Sequence, residues 1–409
     1  MNKKKIFNDP VYGFITISSE LIFDIVEHPY FQRLRRIKQL GLTDYVYPGA
    51  LHTRFHHALG AMHLMGQALT HIKTKGHSVS DEEYEAAQIA ILLHDIGHGP
   101  FSHTLESCIL EGVHHEEISL LLMNELNIEF DGRLDLGIQI FTNGYSRLFF
   151  HQLVSSQLDI DRLDYLQRDC FFTGVSEGTI GASRIIKMMD VVEDKLVIEE
   201  KGIYSVENFL NARRLMYWQV YHHKTSIVAE QMLIMLFKRA KCLIKEGISL
   251  TCTDELLLFL TKSYDIKSLK GSEEALLSFT ALDDHDVWAA IKIWKKNEDM
   301  VLSFLSQSLL NRNFFKITLQ DEPIESDEIL STEKLLRKKM RVSLSEVKYL
   351  YAVGEITNKA YISHDDNIFI KKKNGDLEDV AEASDLPNIK ALSKIVKKYY
   401  LCSPKSLYL

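Results

Sequence analysis

This 409-residue sequence predicts a mainly α-helical fold, with one small β-hairpin and an α+β lobe at the C-terminal end. Three observations predict it. Apolar residues recur at three- and four-residue spacing through most of residues 18–310. One short alternating run interrupts that pattern near residues 195–205. After about residue 312 the pattern changes to short extended runs separated by helical ones.

Leu21, Ile22, Ile25, Phe31, Leu34 and Ile37 keep helical spacing over residues 21–39, and Pro29 divides the stretch into two helices. Residues 55–75 read as the next helix. Ser80 is a good N-cap, with Glu83 three positions on, for a helix that runs to Asp95. Residues 115–126 and 145–168 read as further helices. Residues 195–205 alternate about Lys201-Gly202 and read as a hairpin. Residues 206–246 form a long helical tract with a break near 222–226. Beyond it, residues 314–319, 347–353, 368–373 and 397–402 read as strands, and 331–342 and 389–395 as helices. Their order is β-α-β-β-α-β. The expected division is a core of residues 1–312 and a lobe of residues 313–409.

Composition is that of an ordinary globular chain, 46% hydrophobic and 25% charged. A net charge of −8 disfavours sequence-independent nucleic-acid binding, which needs clustered Lys and Arg. Five scattered cysteines without a CxxC pair read as free thiols in a reducing cytoplasm. No apolar run is long enough to predict a membrane span, and the basic N-terminus lacks the apolar stretch of a signal peptide.

The chemistry concentrates in a few stretches. Eleven of the seventeen histidines lie between His52 and His115. The densest stretch is His94-Asp95-Ile96-Gly97-His98-Gly99-Pro100-Phe101-Ser102-His103. Buried cores have little use for so many titratable groups, whereas hydrolytic metal sites need imidazole and carboxylate ligands with acid/base groups nearby. Adjacent helical residues diverge by about 100°. His94 and Asp95 therefore reach one ion only at a helix end, which Gly97 and Gly99-Pro100 supply. Arg54 and His57 share a helix face, and an arginine beside such a histidine suits a phosphoryl substrate. In 159–169, Asp161, Tyr165 and Asp169 share a stripe at i, i+4 and i+8. Asp164 and Arg168 form a separate i,i+4 pair that reads as a surface ion pair. Asp161 completes a set of two histidines and two aspartates, which suits manganese, iron, magnesium or zinc.

These residues resemble the HD-domain metal-dependent phosphohydrolases, whose H…HD…D pattern matches His57, His94-Asp95 and Asp161. The chain is most similar to the branch of SAM-and-HD-domain dNTP triphosphohydrolases (dGTPase-like). Asn8-Asp9-Pro10, Phe31-Gln32-Arg33-Leu34-Arg35, Ile37-Lys38-Gln39-Leu40-Gly41, His115-Glu116, Asp164-Tyr165 with Arg168-Asp169-Cys170, and Tyr221 with His223-Lys224 also fit. The resemblance is strong over residues 5–225 and weak beyond.

What the resemblance implies is an HD-domain helical core that hydrolyses deoxynucleoside triphosphates to a deoxynucleoside and tripolyphosphate. His57, His94, Asp95 and Asp161 would hold one divalent ion per active site (manganese, iron, magnesium, nickel or zinc). A second magnesium would travel with the triphosphate. His98, Glu106 and His115 resemble a catalytic relay in which His115 is the acid, with Glu106 where relatives often carry Asp. Arg54 would act in catalysis at the phosphates, joined there by Arg162 and Arg213. Gln39 and Leu40 would meet sugar or base. Tyr165, Asp169 and Tyr221 would read the sugar, and His222 the 3′ side or base. Lys5, Glu27, Gln32 and Arg35 match a guanine-nucleotide effector site, with Glu27 in place of the usual aspartate. A homo-oligomer, dimer or tetramer, is expected. Three arginines favour a triphosphate over the alternatives of a monophosphate, a nucleotide second messenger or a non-catalytic sensor.

Overall fold

The computed structural model describes residues 5–358, 367–386 and 396–407. It opens with a two-stranded antiparallel hairpin, β1 (Ile6–Asp9) and β2 (Gly13–Thr16), which the periodicity does not reveal because both strands are short and largely exposed. Pro29 sits at the first turn of α2 (Pro29–Gln32), directly after α1 (Glu20–Glu27), so the division of 21–39 is where the proline places it.

The core is built on α3 (Arg54–Thr74). Residues 57–62 of α3 are all buried, so the helix is enclosed on every side at its N-terminal half. α4 (Asp81–Leu93) packs against it, started by the Ser80–Glu83 capping box. α5 (His103–Ile109), α6 (His115–Glu129), α7 (Asp135–Phe141) and α8 (Leu148–Val154) follow, then α9 (Ile160–Thr173), which also packs on α3.

Residues 145–168 are thus two helices rather than one continuous stretch. Asp159 makes the difference, because its carboxylate accepts from Ser156 N (2.8 Å) and Arg162 N (2.7 Å) and caps a new helix. The hairpin is displaced as well. α10 (Ala182–Met188) leads into β3 (Met189–Val192), which pairs with β4 (Lys195–Glu199) through a turn at Glu193 and Asp194, both left-handed. Lys201-Gly202 lies instead in a short turn before α11 (Ile203–Met216). Met189–Val192 is nearly all buried, so it lacks the alternation that marks a half-exposed strand. A π-helical turn, Tyr217–Tyr221, separates α11 from α12 (Lys224–Lys245), close to the expected break.

Five helices complete the helical part: α13 (Asp254–Thr261), α14 (Ile266–Lys270), α15 (Glu273–Ala281), α16 (Asp284–Trp294) and α17 (Met300–Leu310). The strands after residue 312 do not share one sheet. β5 (Lys316–Gln320) and β6 (Ala352–Asn358) flank β9 (Val396–Ser403), all antiparallel, with α18 (Ser326–Met340) between β5 and β6. β7 (Phe369–Lys371) and β8 (Leu377–Asp379) leave them and join the hairpin, β7 running parallel to β4 with Ile198 opposite Ile370. Val347 ends a short helix rather than starting a strand. The helix expected over 389–395 falls outside the described residues.

Candidate active site

Three helices deliver one cluster of donors. α3 carries His57 in its second turn, α4 ends at His94, and α9 carries Asp161 in its first turn. His57 Nε2 lies 3.4 Å from His94 Nε2 and 3.1 Å from Asp161 Oδ1. His94 Nε2 lies 3.4 Å from the same carboxylate oxygen. Asp95 offers Oδ1 to His94 at 3.4 Å and Oδ2 to His57 at 3.7 Å, and Oδ2 also pairs with Arg54 Nη1.

Both imidazoles are held in one tautomer. His57 Nδ1 donates to Asp164 Oδ2 at 2.8 Å, and His94 Nδ1 to the carbonyl of Ile91 at 2.6 Å. Each Nε2 therefore points toward the other and toward Asp161, a grouping whose excess of acceptors a cation, whether protons or a metal ion, would balance. Ligands about 2.1 Å from one ion sit about 3.0–3.4 Å apart, so the donor spacing and chemistry fit a divalent metal. Burial alone would lower the His57 pKa, but hydrogen bonds to Asp161 and Asp164 overcome it and lift it to about 10. Burial would raise Asp161, yet His57 and His94 hold it well below the usual carboxylate range. The field at this point favours positive charge.

Asp164 and Arg168 are not the surface pair the spacing suggested. Both are fully buried, and Arg168 also reaches Asp9 at 2.7 Å. They sit where α9 crosses α3 at Gly60. A Cβ at Gly60 would stand 2.1 Å from Arg168 Nη2 and 2.1 Å from Asp164 Oδ1, so only glycine leaves room for the pair that orients His57.

The expected relay is assembled differently from its linear order. Glu106 Oε1 accepts from His115 N at 2.6 Å and lies 3.2 Å from His115 Nδ1. Its other oxygen meets His103, unassigned from the sequence, at 3.3 Å. His98 forms no hydrogen bond or ion pair with Glu106. It stacks on His115 with ring centres 3.8 Å apart and points Nδ1 at Asp95 Oδ1, 3.3 Å away. Burial, then the charge of Arg54, keeps His98 well below its usual pKa and so neutral. Glu106 is held well below the carboxylate range by hydrogen bonds from His103 and His115, against the effect of burial.

Gly97 is required by a close approach, not only by a helix end. Its N donates to Ser119 Oγ at 2.9 Å, and that hydroxyl donates to His94 O at 2.7 Å. A Cβ there would be 2.3 Å from both His115 O and Ser119 N. Phe101 and Ser102 follow with φ of 56° and 53°, a strained pair next to the ligands. Ser102 Oγ accepts from Arg54 Nε at 2.9 Å, and Phe101 N donates to Asp284 at 2.8 Å.

A cavity of about 490 Å³ opens beside these groups. Arg54, Asp95, His98, His115 and Asp161 line it, together with Arg162, Gln39, Leu40, Tyr165, Asp169, Tyr221 and His222. Arg162 is anchored by Asp159 at 2.5 Å. Asp169 is gripped twice, by His52 Nε2 at 2.6 Å and Tyr221 OH at 2.8 Å. His52 carried no sequence signal beyond its nearness to Arg54. His222 Nε2 is bound to the carbonyl of Thr357 in β6 at 3.1 Å. Arg213 is not among the lining residues. It is buried near Tyr165, with Nε and Nη1 lacking hydrogen-bond partners. The wall also includes Tyr217 and Glu230, which helical patterning alone could not distinguish from packing.

Lys5, Glu27, Gln32 and Arg35 gather elsewhere, around Phe7 and Phe55. Lys5 pairs with Glu27, Arg35 Nε donates to Gln32 at 2.8 Å, and the Arg35 guanidinium lies 3.6 Å from the Phe55 ring centre. No helix among the described residues is long and apolar enough to cross a membrane.

A family model described as the HD domain matches residues 54–169, and one described as an HD associated region matches residues 180–251. The Bacillus subtilis protein YwfO is 34% identical over 324 residues, 77% of this chain and 72% of that protein. A Dictyostelium discoideum protein named deoxynucleoside triphosphate triphosphohydrolase SAMHD1 homolog is 32% identical over 263 residues, 59% of this chain and 50% of its own length. The crystal structure of a phosphohydrolase from Bacteroides thetaiotaomicron matches with a TM-score of 0.95 and 53% identity, covering 98% of this chain and 100% of that one.

Proposed function

Because this chain belongs to the HD-domain phosphohydrolase family, we propose that it cleaves deoxynucleoside triphosphates to a deoxynucleoside and tripolyphosphate. The observation that carries this reading is one cavity lined by Asp95 and Asp161, by His115, and by the cations Arg54 and Arg162, with Asp161 belonging to the His57–His94–Asp161 cluster and His115 bound to Glu106. The relatives named as deoxynucleoside triphosphate triphosphohydrolases support it.

His57, His94, Asp95 and Asp161 would hold one divalent ion, which supplies Lewis-acid polarisation of a phosphoryl oxygen. The protein's own groups do the rest. Arg54 and Arg162 receive phosphate oxygens, and the partnerless Nε and Nη1 of Arg213 add a nearby positive charge. Water adds to the α-phosphorus while the bond to the 5′ oxygen breaks. His115 gives that oxygen a proton, and Glu106 fixes the imidazole and stabilises its charged form. Neutral His98, stacked on His115, keeps its position beside Asp95. Asp169 accepts from the 3′ hydroxyl, held rigid by His52 and Tyr221, while Tyr165 packs under the sugar. Gln39, Leu40 and His222 complete the sugar and base wall. Lys5, Glu27, Gln32 and Arg35 form the regulatory nucleotide site of a homo-oligomer.

The test is incubation with each dNTP and NTP in manganese or magnesium, with products resolved by ion exchange. Tripolyphosphate and free deoxynucleoside are the expected products. Pyrophosphate or single-phosphate release would assign a different phosphohydrolase, and tight binding without turnover a sensor.

A further inference from the structure

Phe101 and Ser102 both stand at positive φ, 56° and 53°, a backbone state that costs energy for residues other than glycine. Such a pair persists only where its surroundings hold it. α16 does so from 183 residues away in the chain. Asp284 opens that helix and is 3% exposed. One of its oxygens accepts from Phe101 N at 2.8 Å, and the other from Lys38 N at 2.9 Å. Trp288, one turn on, meets the Phe101 ring edge to face with centres 5.7 Å apart. A single buried carboxylate thus spans two backbone amides, one in the turn after the ligands and one beside Gln39 and Leu40 of the cavity wall. Ser102 links this bridge to the chemistry. Its Oγ accepts from Arg54 Nε at 2.9 Å and donates to Lys38 O at 3.4 Å. Arg54 in turn pairs with Asp95 and lines the cavity.

We propose that Asp284 is a positioning residue of the active site, locking the Phe101–Ser102 turn to Lys38 so that the Ser102 hydroxyl holds Arg54 in place for the phosphates. This rests on the reading above in one respect, that Arg54 receives phosphate oxygens. Asp284 itself touches no substrate and acts through Ser102. A carboxylate is needed there because both groups that meet it are donors. Asparagine of the same size offers one acceptor and one donor, so one of the two amides loses its partner and faces another N–H. The turn is then free to leave its positive φ, and Ser102 Oγ moves away from Arg54.

The experiment is a double-mutant cycle of wild type, Asp284→Asn, Ser102→Ala and the double variant, each loaded with manganese and assayed well below its melting temperature. One arm measures kcat/KM for a dNTP. The other measures binding of magnesium-saturated inorganic tripolyphosphate by calorimetry, which reads Arg54 without turnover. Asp284→Asn is expected to lose about 10- to 100-fold in kcat/KM and about 10-fold in tripolyphosphate affinity. In the Ser102→Ala background the same change should cost less than about threefold, because the hydroxyl that carries its effect is gone. A role in stability alone predicts losses that multiply. Multiplying losses, or wild-type values in Asp284→Asn, overturn the inference. Trp288→Leu, which loosens Phe101 from α16, passes through the same cycle with the same expectation, so a poorly folding Asp284→Asn does not end the test. Absence of dNTP turnover, with coupled losses in tripolyphosphate binding, would sink the triphosphohydrolase reading and leave the positioning role intact. A wild type that neither turns over a dNTP nor binds tripolyphosphate overturns both.

Discussion

His57 Nδ1 and Asp164 Oδ2 lie 2.8 Å apart in a region where both side chains are fully buried. This contact fixes which imidazole nitrogen faces the metal cluster. It also ties the cluster to the Arg168–Asp9 pair that joins α9 to the N-terminal hairpin. Asp164→Asn keeps size but loses charge. Metal affinity should fall about 10- to 100-fold, as for other partners of metal-binding histidines. Stability should fall by about 3 kcal/mol, because Arg168 keeps a buried charge with one partner fewer. Metal content after dialysis and a thermal melt check the two effects separately.

Ligands and relay should separate in the same pair of assays. Asp161→Asn removes the negative charge from the carboxylate that both histidines share, so bound metal and turnover should be lost together. His115→Gln leaves the cluster intact. It should keep its metal while losing about 10²- to 10⁴-fold in kcat, the usual worth of a positioned proton donor. Metal loss in His115→Gln would move that histidine into the ligand set.

Gly97→Ala tests the close approach of the ligand turn to α6. The added methyl collides with backbone atoms at 2.3 Å, which cannot be relieved by rotating a side chain. α6 must shift and carry His115 with it. The expected result is a drop of about 10²-fold in kcat, since sub-ångström misplacement of catalytic groups has that scale of cost, with metal content retained. Wild-type kcat in this variant would show that α6 tolerates the displacement.

Asp190 on β3 accepts from His77 at 2.7 Å and from Lys371 on β7 at 2.8 Å, anchoring the C-terminal hairpin to the helical core. Burial raises its pKa, but the hydrogen bonds from Lys371 and His77 prevail and bring it down to about 2. A folded-state pKa below the unfolded value stabilises the fold above the unfolded pKa, and that contribution disappears as pH falls through the folded one. The window is therefore about pH 4 down to pH 2. Asp190→Asn should cost about 1 kcal/mol at pH 7 once solvent screening is counted. Its melting temperature should fall less steeply with acid than that of the wild type. Parallel acid profiles for the two proteins would remove Asp190 from the account.

Much of this was legible in order along the chain. Pro29, the Ser80–Glu83 box and the break before α12 are local signals, and the backbone obeys them. The stripe of Asp161, Tyr165 and Asp169 faces one cavity because helical spacing is itself local. The hairpin and the split of 145–168 were misread, since a fully buried strand loses its alternation and a capping aspartate outweighs apolar periodicity. The β5–β9–β6 and β7–β8 partition was not readable, because strand partners are chosen by distant surfaces.

The sequence by itself determined which chemistry is present: histidines and aspartates with the spacing of an HD-domain site, and the helices that carry them. Tertiary structure alone decided who touches whom. It buried Asp164 behind His57 and turned Glu106 toward His103 and His115 rather than His98. It also set Tyr217 and Glu230, from two different elements, in the wall of the same cavity. The reason is physical. Periodicity gives the direction of a side chain on its own helix, while its partner and its solvation depend on how separate helices cross, and glycines such as Gly60 and Gly97 set how closely they do.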